Sequence, residues 1–177
     1  MARKTRSLLR NLTDDERDRL LAASRKARFL ELSACDLSSV EDGDVSLTVT
    51  SPPFLNIVQY SQDNWLRCWF NDIDASSVDG RITMASSLES WAAEMGAVFR
   101  ELYRVTIEGG HVAFEVGEVR NRRINLDEAI VPLGIEAGFE CVGVLVNEQS
   151  FTKTSNIWGV SNNRRGTNTN RVVIFEK

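Results

Sequence analysis

Ser51-Pro52-Pro53-Phe54 is the segment whose residue types could do chemistry. It sets a hydroxyl beside two carbonyls held in direction by proline, whose ring fixes φ at about −65°, and then adds an aromatic face. Ser-Pro-Pro can also be nothing more than a rigid turn. Its position argues for more. It directly follows Val45-Ser46-Leu47-Thr48-Val49-Thr50, a β-rich run. Consecutive prolines stop that strand, so the motif falls at the carboxyl end, where open α/β sheets place their ligands. A second candidate is the polar stretch from Asn147 to Asn170. There Lys153, Asn156, Trp158, Asn162, Asn163, Arg164 and Arg165 combine cations, amides and an aromatic, the mix that grips phosphates. The alternative is a flexible surface loop. Loops this long inside a compact domain are usually functional or disordered.

Other chemistries fit poorly. The only histidine, His111, lies in a predicted strand, which leaves little for a Cys/His or Ser/His nucleophilic site. Cys35, Cys68 and Cys141 are far apart in apolar surroundings and read as reduced buried thiols, with no zinc site of the usual kind. The net charge is −4. Contact with nucleic acid must therefore rest on local patches: Arg3-Lys4-x-Arg6, Arg120 with Arg122-Arg123, and Arg164-Arg165. No apolar run approaches the roughly 20 residues of a membrane span. The basic start, Met1 to Arg10, lacks the apolar stretch of a signal peptide, and the cytoplasm is the expected compartment.

The elements that must position the motif alternate along the chain. Thr13-Asp14-Asp15-Glu16 has capping-box spacing and opens a helix to about Lys26. Phe29 to Leu32 is a short apolar run, read as a strand, and Asp42-Gly43-Asp44 marks the turn before Val45. A helix is predicted from Tyr60 to Phe70, with Trp65 and Trp69 at helical spacing and expected in the core with Trp91. Ser86 or Ser87 caps the next helix, to about Tyr103, with Leu88, Trp91, Met95, Val98, Phe99 and Leu102 inward. Glu108-Gly109-Gly110 reads as a turn before a buried strand from His111 to Val116, with Glu115 and Glu118, functional or merely solvated, at its end. Leu126 to Ala137 is a helix that Gly138 can end. Strands follow at Phe139 to Val146 and Arg171 to Phe175. Two strands in succession at the end imply an α/β sheet that finishes in an antiparallel hairpin.

Thr50-Ser51-Pro52-Pro53-Phe54-Leu55-Asn56 closely resembles the catalytic motif of DNA methyltransferases that act on exocyclic amino groups. Arg104-Val105-Thr106-Ile107-Glu108-Gly109-Gly110-His111-Val112 is similar to their downstream R-V-L-K-P-G-G segment. Phe151 to Trp158 and Gly166 to Arg171 look like the late loop and final strand of one bacterial subgroup, so the resemblance covers about Phe29 to the C-terminus. It implies a partial Rossmann-like methyltransferase sheet, with residues 1–28 a basic segment and helix and 29–177 the target-base subdomain. An exocyclic amino nitrogen is a poor nucleophile, its lone pair being delocalised into the ring. The resemblance gives Ser51 Oγ and the Pro52 carbonyl the task of accepting its N–H groups, while Pro53 stiffens the loop and Phe54 stacks on the flipped base. Ser in the first place leans toward cytosine N4 over adenine N6. RNA or protein glutamine is a further substrate for Pro-Pro-aromatic loops, but Asn is usual there. The methyl donor would be S-adenosylmethionine, with Asp36 and Thr50 as its contacts, although Asp36 reads equally as a turn residue. Lys153, Asn156, Trp158, Arg164 and Arg165 would hold double-stranded DNA and fill the space left by the flipped base.

Two family features are not found among these residues: the Phe-x-Gly-x-Gly segment of the first strand, and the acidic residue that ends the second. In the usual sheet those strands adjoin the one ending at Ser51, so its edge is expected to be open. Three explanations follow. The chain is the C-terminal half of a split enzyme whose second polypeptide carries the glycines, or a non-catalytic DNA-binding or assembly module, or it self-associates as a homodimer through that edge.

Overall fold

The computed structural model describes residues 2–53, 60–79, 85, 87–119, 124–148 and 169–177. They form two compact units, Met1–Leu32 and Ser33–Lys177. The first holds α1 (Ala2–Leu9), where only a basic segment was expected, and α2 (Asp14–Lys26). The capping box opens α2 as its spacing predicts. Thr13 Oγ1 accepts from the Glu16 N–H, and Glu16 Oε2 accepts from the Thr13 N–H at 2.8 Å. Two donors that no helical carbonyl can reach are thereby satisfied. Phe29–Leu32 is not a strand. It is irregular, and Phe29 is 98% exposed; an apolar run with no ladder partner has nothing to hold it extended.

The second unit runs β1 (Val45–Thr50), α3 (Tyr60–Phe70), α4 (Ala75–Asp79), α5 (Leu88–Val105), β2 (Thr106–Val119), β3 (Ile124–Asn125), α6 (Leu126–Ala137), β4 (Glu140–Glu148) and β5 (Thr169–Glu176). The sheet order is β1-β2-β5-β4, with β3 on the end of β2. β1 and β2 are parallel, as a crossover through α5 allows. β5 is antiparallel to both β2 and β4 and lies between them. The α/β sheet with an antiparallel finish is therefore present.

Its core lies on one face. α5 turns Trp91, Met95, Val98, Phe99 and Leu102 onto Val112, Phe114 and Val116 of β2 and Val173 and Phe175 of β5, with Leu126 and Ile130 of α6 alongside. Alternation in β2 sets its helix-facing side, and the three-and-four spacing in α5 supplies the matching stripe. Phe99 is the hub, its ring 4.9 Å from Phe114 and 5.2 Å from Phe175 between centroids. Gly138 ends α6 with φ 116°, its N–H bonding back to the carbonyls of Gly134 and Ile135.

Two expectations are overturned here. Glu108-Gly109-Gly110 is no turn before a strand but a bulge inside β2: β1 advances from Val45 to Leu47 while its partner position moves from Thr106 to His111. Gly109 takes φ 72°, and its N–H donates to the Lys177 carbonyl at 2.8 Å, so the last residue pins the bulge. Trp65 and Trp69 are not core; they are 61% and 70% exposed. Helical spacing aligns side chains on one face, but only a neighbouring element can bury that face. Among the described residues, no helix is long and apolar enough to cross a membrane.

Candidate active site

The Ser-Pro-Pro turn begins one residue beyond β1. Ser51 is exposed, Pro52 buried and Pro53 half-buried. The last ladder position before it pairs Thr50 with Phe114. Because α5 returns along the sheet from the carboxyl end of β1, its first turn lies beneath the motif. Ser87 caps that turn, its Oγ accepting from the Ser90 N–H at 3.1 Å. One turn in, Trp91 Nε1–H donates to the Pro53 carbonyl at 3.0 Å, from a ring that is 1% exposed. The sequence placed Trp91 in the core but not against the motif. The available signal was its N–H, which a buried Trp must pair.

The same end of the sheet carries a second polar feature. Asp127, in the first turn of α6, is buried, and its Oδ2 accepts from Arg171 Nη1 at 3.0 Å. Arg171 stands opposite Val116 of β2 and Val146 of β4. The pair joins α6 to β5 where the strand emerges from residues 149–168. Neither residue was singled out as functional; an Asp in a first helical turn ordinarily serves the helix dipole alone. Glu115 is half-buried opposite Val172, and Glu118 is in register with Asn125 of β3.

At the opposite end, Arg104 ties the segment before β1 to α5. Its guanidinium donates to the carbonyls of Leu37 and Val40 and pairs with Glu101 and Asp42. Hydrogen bonds from Arg104, then from the Leu37 N–H, hold the Glu101 carboxyl down at about 2, and the bonds to Glu101, then to Asp42, raise Arg104. The Gly43 N–H donates to the Arg104 carbonyl at 3.0 Å, just before β1 starts. This cluster fixes where β1 enters the sheet, and thereby where Ser51 leaves it.

Of the residues expected at the site, Ser51, Pro52 and Pro53 come together at the carboxyl rim with Thr50 behind them. Phe54 lies outside the described residues, as do Lys153, Asn156, Trp158, Arg164 and Arg165. Asp36 is exposed in a turn. Its N–H donates to the Ser33 carbonyl at 3.0 Å, and its Oδ1 accepts from the Ser38 N–H at 3.1 Å. Asp36 is at no strand end, and its Oδ2 is left to accept from another donor. The sequence holds no Gly-x-Gly segment of the kind the resemblance associates with S-adenosylmethionine.

No protein-family model and no curated protein matches the chain. Solved structures do. A protein assigned as a DNA modification methylase from Thermus thermophilus superposes with a TM-score of 0.50 at 21% identity, over 82% of this chain and 50% of that one. The same protein complexed with S-adenosyl-L-methionine matches at 0.50 and 19% identity, over 82% of this chain and 51% of that one. The cytosine-N4-specific PvuII DNA methyltransferase matches at 0.50 and 15% identity, over 79% of this chain and 45% of that one. The chain thus spans about half the length of the structures it matches. The likeness establishes the fold: an α/β unit with a mixed sheet like that of these methyltransferase structures.

Proposed function

We propose that this chain supplies the target-base half of an S-adenosylmethionine-dependent DNA amino-methyltransferase, directed to cytosine N4. The observation that carries the reading is the placement of Ser51-Pro52-Pro53 at the carboxyl end of β1, in a sheet that superposes on DNA methyltransferase structures. Ser51 Oγ and the Pro52 carbonyl accept the two N–H groups of the target amine. Those bonds draw the nitrogen lone pair out of conjugation and toward the incoming methyl group. Phe54 receives the flipped base: flipping costs a few kcal/mol, and stacking returns about 1–3 kcal/mol. Lys153, Asn156, Trp158, Arg164 and Arg165 hold the duplex.

The cofactor contacts come in part from further polypeptide that carries the glycine cradle, on a second chain or in a second copy. The open strand is the place for it. β1 pairs on one side only among the described residues, and Leu47 and Val49 are 59% and 75% exposed.

The test is transfer of labelled methyl from S-adenosylmethionine to cytosine-containing duplex DNA, with the complementary polypeptide present. Ser51→Ala and Phe54→Ala each lower the rate by on the order of 100-fold, the scale for losing one preorganised contact. Retained activity in both variants would overturn the reading. DNA binding that needs residues 153–165 but not Ser51 would show a non-catalytic module instead.

A further inference from the structure

We infer that Trp91 is the positioning residue of the Ser51-Pro52-Pro53 loop and acts through its indole N–H on the Pro53 carbonyl; the inference rests on reading that loop as the target-base site. The loop is held at both ends. On one side Thr50 is in the ladder opposite Phe114. On the other, Trp91 Nε1 lies 3.0 Å from the Pro53 oxygen, on a ring locked into the core with Phe99 and Phe114.

Few torsions remain between those anchors. Both proline rings fix φ, which leaves mainly the ψ angles to set where the carbonyls point. The bond from Trp91 orients the peptide plane that follows Pro53. With φ of Pro53 locked, that orientation passes back to the Pro52 carbonyl through a single free torsion. The indole is a donor with one hydrogen and no acceptor. Buried as it is, it loses a good partner if the loop swings out, so the held geometry is also the stable one. The Pro53 carbonyl is thereby committed inward, and the Pro52 carbonyl is the one left to face a substrate donor. A loop aimed before substrate arrives spends no binding energy on ordering itself.

The experiment replaces Trp91 in the full chain with 3-benzothienylalanine, an indole isostere without the N–H, and separately makes Trp91→Phe. Carbonyl NMR shifts at Ser51, Pro52 and Pro53 and the amide shift at Ser51 are compared with those of Val112 and Phe99, alongside thermal midpoints. In the wild type the Trp91 indole hydrogen exchanges with solvent at least about ten-fold more slowly than those of the exposed Trp65 and Trp69. In the isostere variant the loop shifts move while the core shifts and the midpoint hold. Where the wild type methylates DNA, kcat falls about ten-fold with KM for DNA unchanged. Unmoved loop shifts, or a loss of kcat that only tracks loss of folded protein, would overturn the role of Trp91. A wild type that transfers no methyl group even with the complementary polypeptide present would overturn the proposed function instead, and the loop shifts would still decide for or against Trp91.

Discussion

Asp127 and Arg171 form a mostly buried ion pair across the carboxyl rim of the sheet, with Oδ2 and Nη1 3.0 Å apart and side-chain exposures of 9% and 22%. The pair fastens the first turn of α6 to the strand that fills the middle of the sheet. Its worth lies less in attraction than in what either charge would cost alone.

Asp127→Ala removes the carboxylate that meets Arg171 Nη1 and destabilises the fold by up to about 3 kcal/mol, no more than the low end for such pairs because Arg171 keeps further interactions and some contact with water. Arg171→Met costs a similar amount. The double variant Asp127→Leu, Arg171→Met recovers most of the loss. A urea-denaturation cycle on the four proteins measures this; strictly additive losses would show that the two side chains are not coupled.

Gly134 faces Phe175 across the helix–sheet interface. A Cβ built at Gly134 would sit 2.2 Å from Phe175 Cε1, and Phe175 has no exposure through which to escape. Gly134→Ala therefore costs about 3 kcal/mol, at the upper end for overpacking. Adding Phe175→Leu returns part of it, because the smaller side chain makes room for the methyl. A thermal midpoint of Gly134→Ala equal to that of the wild type would contradict the close approach.

Glu101 makes the acid side of stability predictable. Its carboxylate accepts from Arg104 Nε at 3.0 Å, from Arg104 Nη2 at 2.9 Å and from the Leu37 N–H at 2.7 Å. Those bonds take its pKa from 4.5 to about 2 in the folded protein. A depressed carboxyl contributes its full stability above the unfolded value and loses it as pH falls through the folded one. The contribution of Glu101 is thus complete above about pH 5 and fades between there and about pH 2. Glu101→Gln lowers the urea midpoint at pH 6, and the difference from wild type shrinks by pH 3. A difference that stays constant over that interval would remove Glu101 as its source.

The open strand predicts behaviour in solution. Val49 registers with Ala113 on the face away from the α5 and α6 core, whereas Thr48 and Thr50 register with the buried Val112 and Phe114. Val49→Lys puts a charge on an exposed apolar edge, the device by which natural sheets prevent edge pairing. Where a second copy is what covers β1, self-association read by sedimentation falls in this variant, with stability held within about 0.5 kcal/mol. Unchanged association would place the contact elsewhere.

The elements were legible wherever local chemistry suffices. Thr13 and Glu16 mark the start of α2, Val45–Thr50 is the strand expected, Tyr60–Phe70 is the helix expected, and Ser87 and Gly138 cap the helices they were assigned. Periodicity failed where it needed a neighbour to complete it. Among the described residues, Trp65 and Trp69 have core spacing without a covering element, and Phe29–Leu32 has strand composition without a strand beside it. The two short elements α4 and β3 carry too few residues to show a period. Gly109-Gly110 carries a turn signature, but the pairing of β2 with β1 spans it, from Thr106 to His111, and turns it into a bulge.

The site divides in the same way. The sequence alone determined that a hydroxyl, two prolines and an aromatic follow a β-branched strand, because those identities and that order are properties of the chain. Only the tertiary structure decided what holds them. The Pro53 carbonyl meets Trp91 from 38 residues away, and Asp127 meets Arg171 from 44. It also placed Asp36 in an exposed turn, where its Oδ1 accepts from the Ser38 N–H. Hydrogen bonds between residues so far apart depend on the path of the backbone between them, and the packing of α5 and α6 on one face of the sheet sets that path.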